Sequence, residues 1–264
     1  MVSVETRTII IVPCYNEADR LDAAAFTTFA QAHSNIAFHF VDDGSSDQTA
    51  AMLRELCEAL PDQLSWQSLD RNRGKAEAVR QGIVHALDRN PDAVGFWDAD
   101  LATPLEDIPL FIQLLEDRPG LQAVFGSRVN LLGRHVHRAL LRHYIGRLFA
   151  TAATMVLHTP IYDTQCGAKL FRASDHSRSV FATPFVSSWI FDVEVIARLL
   201  LRMHEHGVSD PGEVIFEQPL MVWRDVAGSK LKLRHFLTVA IDLVRIWMKY
   251  PHRKKQRAAQ RADA

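Results

Sequence analysis

The chain has 264 residues, 48% hydrophobic and 23% charged, values ordinary for a globular protein with a sizeable buried core. Thirty Lys and Arg against 31 Asp and Glu give a net charge of −1, so no global basic field points to nucleic acid as a partner. Three cysteines are too few and too odd in number for a disulfide framework, and no apolar run reaches the roughly eighteen residues of a membrane span.

The first hundred residues alternate strand and helix signals. Thr8-Ile9-Ile10-Ile11-Val12 is an apolar, β-branched run stopped by Pro13, and residues 18–32 read as a helix. A second strand covers 37–41 and ends in Asp42-Asp43-Gly44, and Asp47 is the expected N-cap of a helix running to residue 60. Strand 64–69, helix 74–88 and strand 93–97 follow. Repeated units of this length predict a parallel sheet covered by helices, with ligands bound beyond the carboxyl ends of the strands. The second half is less regular: a strand over 122–126, a helix over 138–157, a helix over 191–206, a strand over 214–218 and a helix over 231–249. The tail carries Lys249, Arg253, Lys254, Lys255, Arg257 and Arg261 and is expected to be disordered after Pro251. The predicted organisation is one α/β domain over 1–230, then a C-terminal helix and basic tail over 231–264.

Candidate site residues cluster at the predicted strand ends. Asp98-Ala99-Asp100 places two carboxylates one residue apart behind an apolar strand, a pair able to offer oxygens to one hard cation. Mg²⁺ or Mn²⁺ held by so few protein ligands takes the rest from water and substrate phosphates. Pro13-Cys14-Tyr15-Asn16-Glu17 is either a plain turn into a helix or a loop offering a ring to a base. Asp43 is either a turn residue or an acceptor for a base imide or ribose hydroxyl. Arg71-Asn72-Arg73-Gly74-Lys75 precedes a helix N-terminus, where a phosphate is favoured, and Lys75 or Arg73 could reach a diphosphate. Gly126-Ser127-Arg128 follows a strand, and Arg138 and Arg142 share a helix face able to fork a phosphate. Asp192 and Glu194 sit among aromatic and apolar neighbours, either as acids of a helix first turn or, for Asp192, as a base.

In order, Pro-x-Tyr-Asn-Glu, Val-Asp-Asp-Gly-Ser, Asn-Arg-Gly-Lys, Asp-Ala-Asp and Gly-Ser-Arg resemble the inverting glycosyltransferases of the GT-A fold. Ala102-Thr103, Asp163-Thr164-Gln165-Cys166-Gly167, Lys169-Leu170-Phe171, Trp189 with Phe191-Asp192-Val193-Glu194, and Gly228-Ser229-Lys230-Leu231 are similar to the dolichyl-phosphate β-glucosyltransferases. The resemblance spans residues 9 to 231. It implies that Pro13, Tyr15, Glu17 and Asp43 line the nucleobase pocket, and that Lys75 lies by the nucleoside or diphosphate. Asp98 and Ala99 would complete the nucleotide-sugar site, with Asp98 on the ribose or metal and Asp100 the main metal ligand. Arg128 would meet a donor or acceptor phosphate, and Arg138 and Arg142 the lipid phosphate.

Three departures stand out. The eukaryotic glucosyltransferases begin with a transmembrane helix, whereas this chain begins at the first strand. Ala102 stands where related mannosyltransferases carry Gln, and Ser187-Ser188 stand where the glucosyltransferases tend to be basic. The resulting expectation is a metal-dependent, inverting transfer of a hexose, glucose favoured, from UDP-glucose to a polyprenyl or dolichyl phosphate. A lipid phosphate is mostly dianionic near neutral pH and needs little help from a base. A hydroxyl acceptor would need one, and Asp192 is the candidate. A non-catalytic sugar-nucleotide-binding scaffold is the alternative from another class. The cysteine usage and the lack of a leader pattern at the N-terminus lead to the expectation of a cytoplasmic protein, peripheral on the cytoplasmic face of a membrane. The last helix carries His235, Thr238, Asp242, Arg245 and Lys249 as a narrow polar stripe on an otherwise apolar surface. It would pack on the core or a second subunit, or lie in a membrane interface beside a membrane-protein partner.

Overall fold

Alternation along β1 (Thr8–Cys14) sets the layering, because Ile9 and Ile11 face one hydrophobic cluster while Ile10 and Val12 face another. Both faces are apolar because helices cover both. The computed structural model describes residues 6–137, 140–224 and 234–250. After β1 come α1 (Ala23–Ala32), β2 (Ile36–Asp42), α2 (Thr49–Ala59), β3 (Leu64–Ser68), α3 (Lys75–Leu87) and β4 (Ala93–Trp97). The second half contains α4 (Ile108–Asp117), β5 (Ala123–Ser127), β6 (His135–His137), α5 (Leu140–Leu157), β7 (Ala168–Arg172) and α6 (Asp175–Phe181). It ends with α7 (Phe191–Glu205), β8 (Ile215–Pro219), β9 (Val222–Arg224) and α8 (Arg234–Lys249).

The main sheet has seven strands in the order β3-β2-β1-β4-β7-β5-β8, and β6 pairs with β9 in a separate ribbon. Only β7 runs antiparallel to its neighbours in the main sheet. The expected mostly parallel α/β sheet flanked by helices is therefore the fold. Strand order reverses at β1, which pairs with β2 on one side and β4 on the other. That reversal opens a crevice at the carboxyl ends of β1 and β4, the place where open α/β sheets bind ligands.

Several boundaries differ from the sequence reading for local reasons. Helix α1 begins at Ala23 because Asp22 caps it, accepting from Ala25 N at 2.9 Å. Asp47 is not the N-cap of α2; that position is Gln48, and Asp47 instead accepts from Thr49 N, Thr49 Oγ1 and Ala18 N. It thus ties the loop after β2 to the loop after β1. Sequence patterning gave no sign of α4, β6, α6, β7 or β9. The proposed boundary at 230/231, the Gly228–Leu231 motif and the basic tail after Tyr250 lie outside the described residues. Leu243, Ile246 and Tyr250 of the last helical segment join the hydrophobic core. Among the described residues no helix is long and apolar enough to cross a membrane.

One buried group makes this fold sensitive to acid. His39 in β2 is 2% exposed, its Nδ1 lies 2.9 Å from Ser65 Oγ, and its ring stacks on His85. Burial, and then the charge of His85, push its imidazole down from 6.5 to about 4. The unfolded chain therefore binds this proton at higher pH than the folded one. Stability from this site is complete above about pH 6.5 and is lost as the pH falls toward 4, a total of roughly 3 kcal/mol. Urea denaturation at pH 7 and pH 4.5 should show a larger loss for the wild type than for His39→Gln; equal losses would assign the acid sensitivity to other groups.

Candidate functional site

The loops after β1, β2 and β4 meet the N-terminus of α3 around a cleft of about 220 Å³. Pro13 comes from the end of β1, Tyr15 and Glu17 from the loop after it, Asp43 from the second loop, Lys75 from α3, and Asp98, Ala99 and Asp100 from the third loop. All eight residues expected at the donor and metal positions line this one cleft. Cys14 and Ala78 line it too and were not singled out from sequence. Both are small and carry no charge pattern; Cys14 is buried, and burial raises its thiol well above the ordinary value.

Hydrogen bonds between loops hold the first wall. Asn16 has φ of 53°, a left-handed conformation that Asn tolerates better than most residues. Its Oδ1 accepts from Ser46 N at 2.9 Å and its own N–H donates to Ser45 Oγ at 3.0 Å, while Glu17 N donates to Thr49 Oγ1 at 2.8 Å. This turn leaves Tyr15 at the lip, 43% exposed. Glu17 Oε1 pairs with Arg20 at 2.6 Å, and its Oε2 is buried with no hydrogen-bond partner among the described residues. Burial raises the Glu17 carboxyl, partly offset by Arg20. Asp43 accepts from Arg73 N and Gly74 N, each at 2.7 Å, and so fixes the chain entering α3. Burial raises its carboxyl too, against the opposing effect of those two amides. Gly74 at φ +89° makes the turn that presents the second amide.

The two acids after β4 are held differently. Asp98 Oδ1 lies 2.5 Å from Lys75 Nζ, and Asp98 N donates to Gly167 O at 3.0 Å. A Cβ at residue 167 would sit 1.9 Å from Asp98 Oδ2, so only glycine leaves room for that carboxylate. Asp100 Oδ1 accepts from Ala102 N at 3.1 Å, and Leu101 at φ 51° closes the turn by donating to Asp98 O at 3.2 Å. Burial, then the charge of Asp98, raise the Asp100 carboxyl above the ordinary aspartate range. Lys75 is pulled down by burial, but Asp98, Asp192 and Asp100 outweigh this and hold its ammonium above the ordinary value. Two crowded hard-oxygen ligands beside one lysine suit a divalent cation that completes its shell from a diphosphate and water. No group of three or more ligating side chains occurs among the described residues.

Other expected site residues are engaged elsewhere or not described. Arg73 forks onto Asp70 at 2.9 and 3.1 Å rather than turning to the cleft. Arg128 grips Asp163 through Nε at 2.6 Å and Nη2 at 2.8 Å, with its backbone N–H also on Asp163 at 3.0 Å. Glu217 in turn accepts from the backbone of Tyr162 and Asp163. The Arg128 guanidinium therefore pins the 163–167 segment, and Asp98 is among the charges that stabilise it. Asp192, in the first turn of α7, accepts from Lys169 Nζ at 2.6 Å. Arg138 lies outside the described residues; Arg142 lies in α5 with its side chain outside them.

Residues 9–179 match the family described as Glycosyl transferase family 2. A dolichyl-phosphate beta-glucosyltransferase of Trichomonas vaginalis is 31% identical over 254 residues, covering 92% of this chain and 71% of that one. The dolichyl-phosphate beta-glucosyltransferase of Homo sapiens is 29% identical over 256 residues, covering 91% and 75%. Glucosyl-3-phosphoglycerate synthase from Mycobacterium tuberculosis, in complex with Mn²⁺ and UDP-glucose, superposes with a TM-score of 0.62 at 16% identity, covering 93% of this chain and 79% of that one.

The raised Asp100 carboxyl has an opposite consequence for stability and for metal binding. A folded-state value above the unfolded one means that the ionised form destabilises the native state at neutral pH. Asp100→Asn should therefore melt at a higher temperature than wild type in EDTA, yet lose Mn²⁺ binding in a titration followed by electron paramagnetic resonance. Wild-type Mn²⁺ affinity should fall on acidification from a higher pH than an ordinary aspartate would give. A variant that melts lower, or that binds Mn²⁺ as wild type, contradicts this assignment.

Proposed function

The chain belongs to glycosyl transferase family 2 and is a glycosyltransferase of the GT-A fold, and on that premise we propose that it transfers glucose from UDP-glucose to a polyprenyl or dolichyl phosphate with inversion. One observation supports this most directly: the Asp98 and Asp100 carboxylates, Lys75 and the Pro13–Glu17 loop meet in one cleft at the reversal of strand order. The relatives named dolichyl-phosphate beta-glucosyltransferase match over more than nine-tenths of the chain, which supports glucose and a dolichyl-type phosphate as the reactants.

In this reading Tyr15 stacks on the uracil at the lip, while Pro13, Glu17 and Asp43 shape the base pocket. Asp98 and Asp100 hold Mg²⁺ or Mn²⁺. When bound, the ion neutralises charge on the departing diphosphate. Lys75, already protonated beside Asp98, adds a second positive charge on the same side. Arg128 contributes a fixed positive charge at the edge of the site while its fork remains on Asp163. Arg138 and Arg142 orient the acceptor phosphate, whose oxygen attacks the anomeric carbon from the face opposite the leaving diphosphate. Because the attacking phosphate is mostly dianionic near neutral pH, orientation and desolvation carry the step and no protein base is required.

The acceptor reading extends to the surface. Ile241, Val244, Trp247 and Met248 of α8 are all about half exposed, and Leu148 and Met155 of α5 are more so. Helices α5 and α8 pack on each other, so apolar side chains from both reach solvent on adjoining helices. The sequence continues past Tyr250 with Arg253, Lys254, Lys255, Arg257 and Arg261. This combination fits peripheral attachment to an anionic membrane surface, with 231–264 as the attachment segment, and we place the enzyme on the cytoplasmic face.

Two measurements test these readings. In calorimetry with Mn²⁺ present, UDP-glucose should bind more tightly than GDP-mannose, and Asp100→Asn should abolish glucose transfer to polyprenyl phosphate; the reverse donor order would move the protein to mannosyl transfer. The full chain should sediment with anionic liposomes and be released by salt, since each basic residue near such a surface contributes about 1 kcal/mol. Removing residues 251–264 should weaken sedimentation while sparing donor binding. A chain that ignores anionic liposomes at low salt would overturn the membrane reading.

A further inference from the structure

Lys169 is the second residue of β7, 0% exposed, with its ammonium against the rings of Phe96 and Phe125. Its Nζ donates to Thr164 O at 3.1 Å, Cys166 O at 2.6 Å and Asp192 Oδ1 at 2.6 Å. Those three bonds use the whole donor capacity of an ammonium. Thr164 and Cys166 belong to the segment that delivers Gly167 against the Asp98 carboxylate, and Gly167 O receives Asp98 N. A buried ion pair is often no more stable than an apolar pair of similar volume, so net stability gives no reason for charges at this position. The two carbonyl bonds give one: a methionine or leucine at 169 would fill the space and leave the 164–167 segment untethered.

We propose that Lys169 and Asp192 form a positioning pair for Asp98, Lys169 clamping the two carbonyls that seat Gly167 and Asp192 serving as its counter-ion rather than as a proton acceptor in the reaction. The pair acts through Gly167, and neither member touches substrate. Arg128 grips the same segment from its other end through Asp163, so the backbone beneath Asp98 is held at both sides. This inference rests on the reading that Asp98 and Asp100 hold a divalent ion with a nucleotide diphosphate.

The test uses the full chain, Mn²⁺ with UDP as the probe, and the variants Asp192→Asn, Lys169→Met and the double Lys169→Met/Asp192→Asn. Each single variant strands one buried partner and should melt lower; the double variant removes both charges and should recover most of the loss. Despite that recovery, the double variant should bind Mn²⁺·UDP roughly tenfold or more weakly, the usual consequence of losing support behind a metal ligand. A merely structural pair would predict wild-type affinity once the fold is restored, and that result would overturn the proposal. If methionine at 169 does not fold, Asp192→Asn alone decides. Weakened Mn²⁺·UDP binding, with a pH–rate profile of wild-type shape for transfer to a polyprenyl phosphate, supports the clamp. Unchanged binding overturns it, and unchanged binding with transfer lost at every pH assigns Asp192 as a base. Failure of the wild type to bind Mn²⁺·UDP would overturn the donor-site reading itself, and this inference with it.

Discussion

The space occupied by the Asp98 carboxylate is the constraint on which the site depends. That carboxylate stands between Lys75 Nζ at 2.5 Å and the bare α-carbon of Gly167, where any side chain would collide with it. Everything nearby follows from keeping it there. Strand β7 must run antiparallel beside β4 so that residue 167 arrives opposite the end of β4, with Ala168 paired to Trp97. The segment before β7 must then be held, and it is, by Arg128 through Asp163 and by Lys169 through Thr164 and Cys166. Helix α3 must begin at residue 75, and the grip of Asp43 on the amides of Arg73 and Gly74 ensures that.

This arrangement concentrates like charge at cost to the fold. Glu17, Asp43 and Asp100 are all raised by burial, so ionising any of them works against the preference of its surroundings. A bound divalent cation would relieve that preference, which is the expected behaviour of a site optimised for its complex rather than for the free protein. By contrast, Glu194, fully buried in α7 away from the cleft, has a full set of partners. Glu194 accepts from Arg198, Tyr250 and the amide of Val186. All five donors of Arg198 are spent on Glu194, Tyr250 and the carbonyls of Val180, Thr183 and Pro184. Outside the cleft Asp107 and Glu217 are also raised by burial, and Asp107 Oδ2 is buried without a hydrogen-bond partner among the described residues, so the cleft is the largest group of such carboxylates rather than their sole location.

Legibility in the sequence followed the locality of each signal. Strands β1, β2 and β4 were readable because each is a mostly apolar run stopped by Pro13 or followed by Asp, and β3 because Leu64 and Trp66 alternate with polar residues; the acids after β2 and β4 marked the cleft directly. Strand β7 was not readable because Lys169 and Arg172 interrupt its apolar pattern. Lys169 is tolerated inside a sheet because two nearby carbonyls accept from it and because its counter-ion, Asp192, reaches it from another element 23 residues away. The reach of Arg128 to Asp163 is similarly non-local at a separation of 35 residues, so from sequence its guanidinium looked available to a phosphate. Ala78 at the cleft wall carried no signal at all, since a small residue in a helix is unremarkable until the helix is placed. The family motifs did point at Asp163 to Gly167 and at Lys169, but no periodicity explained why those residue types stood there.

Helix α7 links the cleft to the outer surface of the molecule. Asp192 and Glu194 lie two residues apart in its first turn and therefore point in different directions. Asp192 faces the sheet and Lys169, whereas Glu194 receives the Tyr250 hydroxyl at 2.7 Å and Lys249 Nζ at 3.4 Å from the end of α8. The helix whose outer side exposes Trp247 and Met248 is thus fastened to the same turn that supplies the counter-ion of Lys169. Its inner face contributes Leu243, Ile246 and Tyr250 to the core, so the apolar residues left outside are not a failure of packing. On the membrane reading proposed above, its exposed apolar side would lie in the interface, and five basic residues follow its end in sequence. An interfacial α8 would hold the α7 turn, and through it the segment beneath Asp98, at a fixed distance from the surface that presents a lipid phosphate.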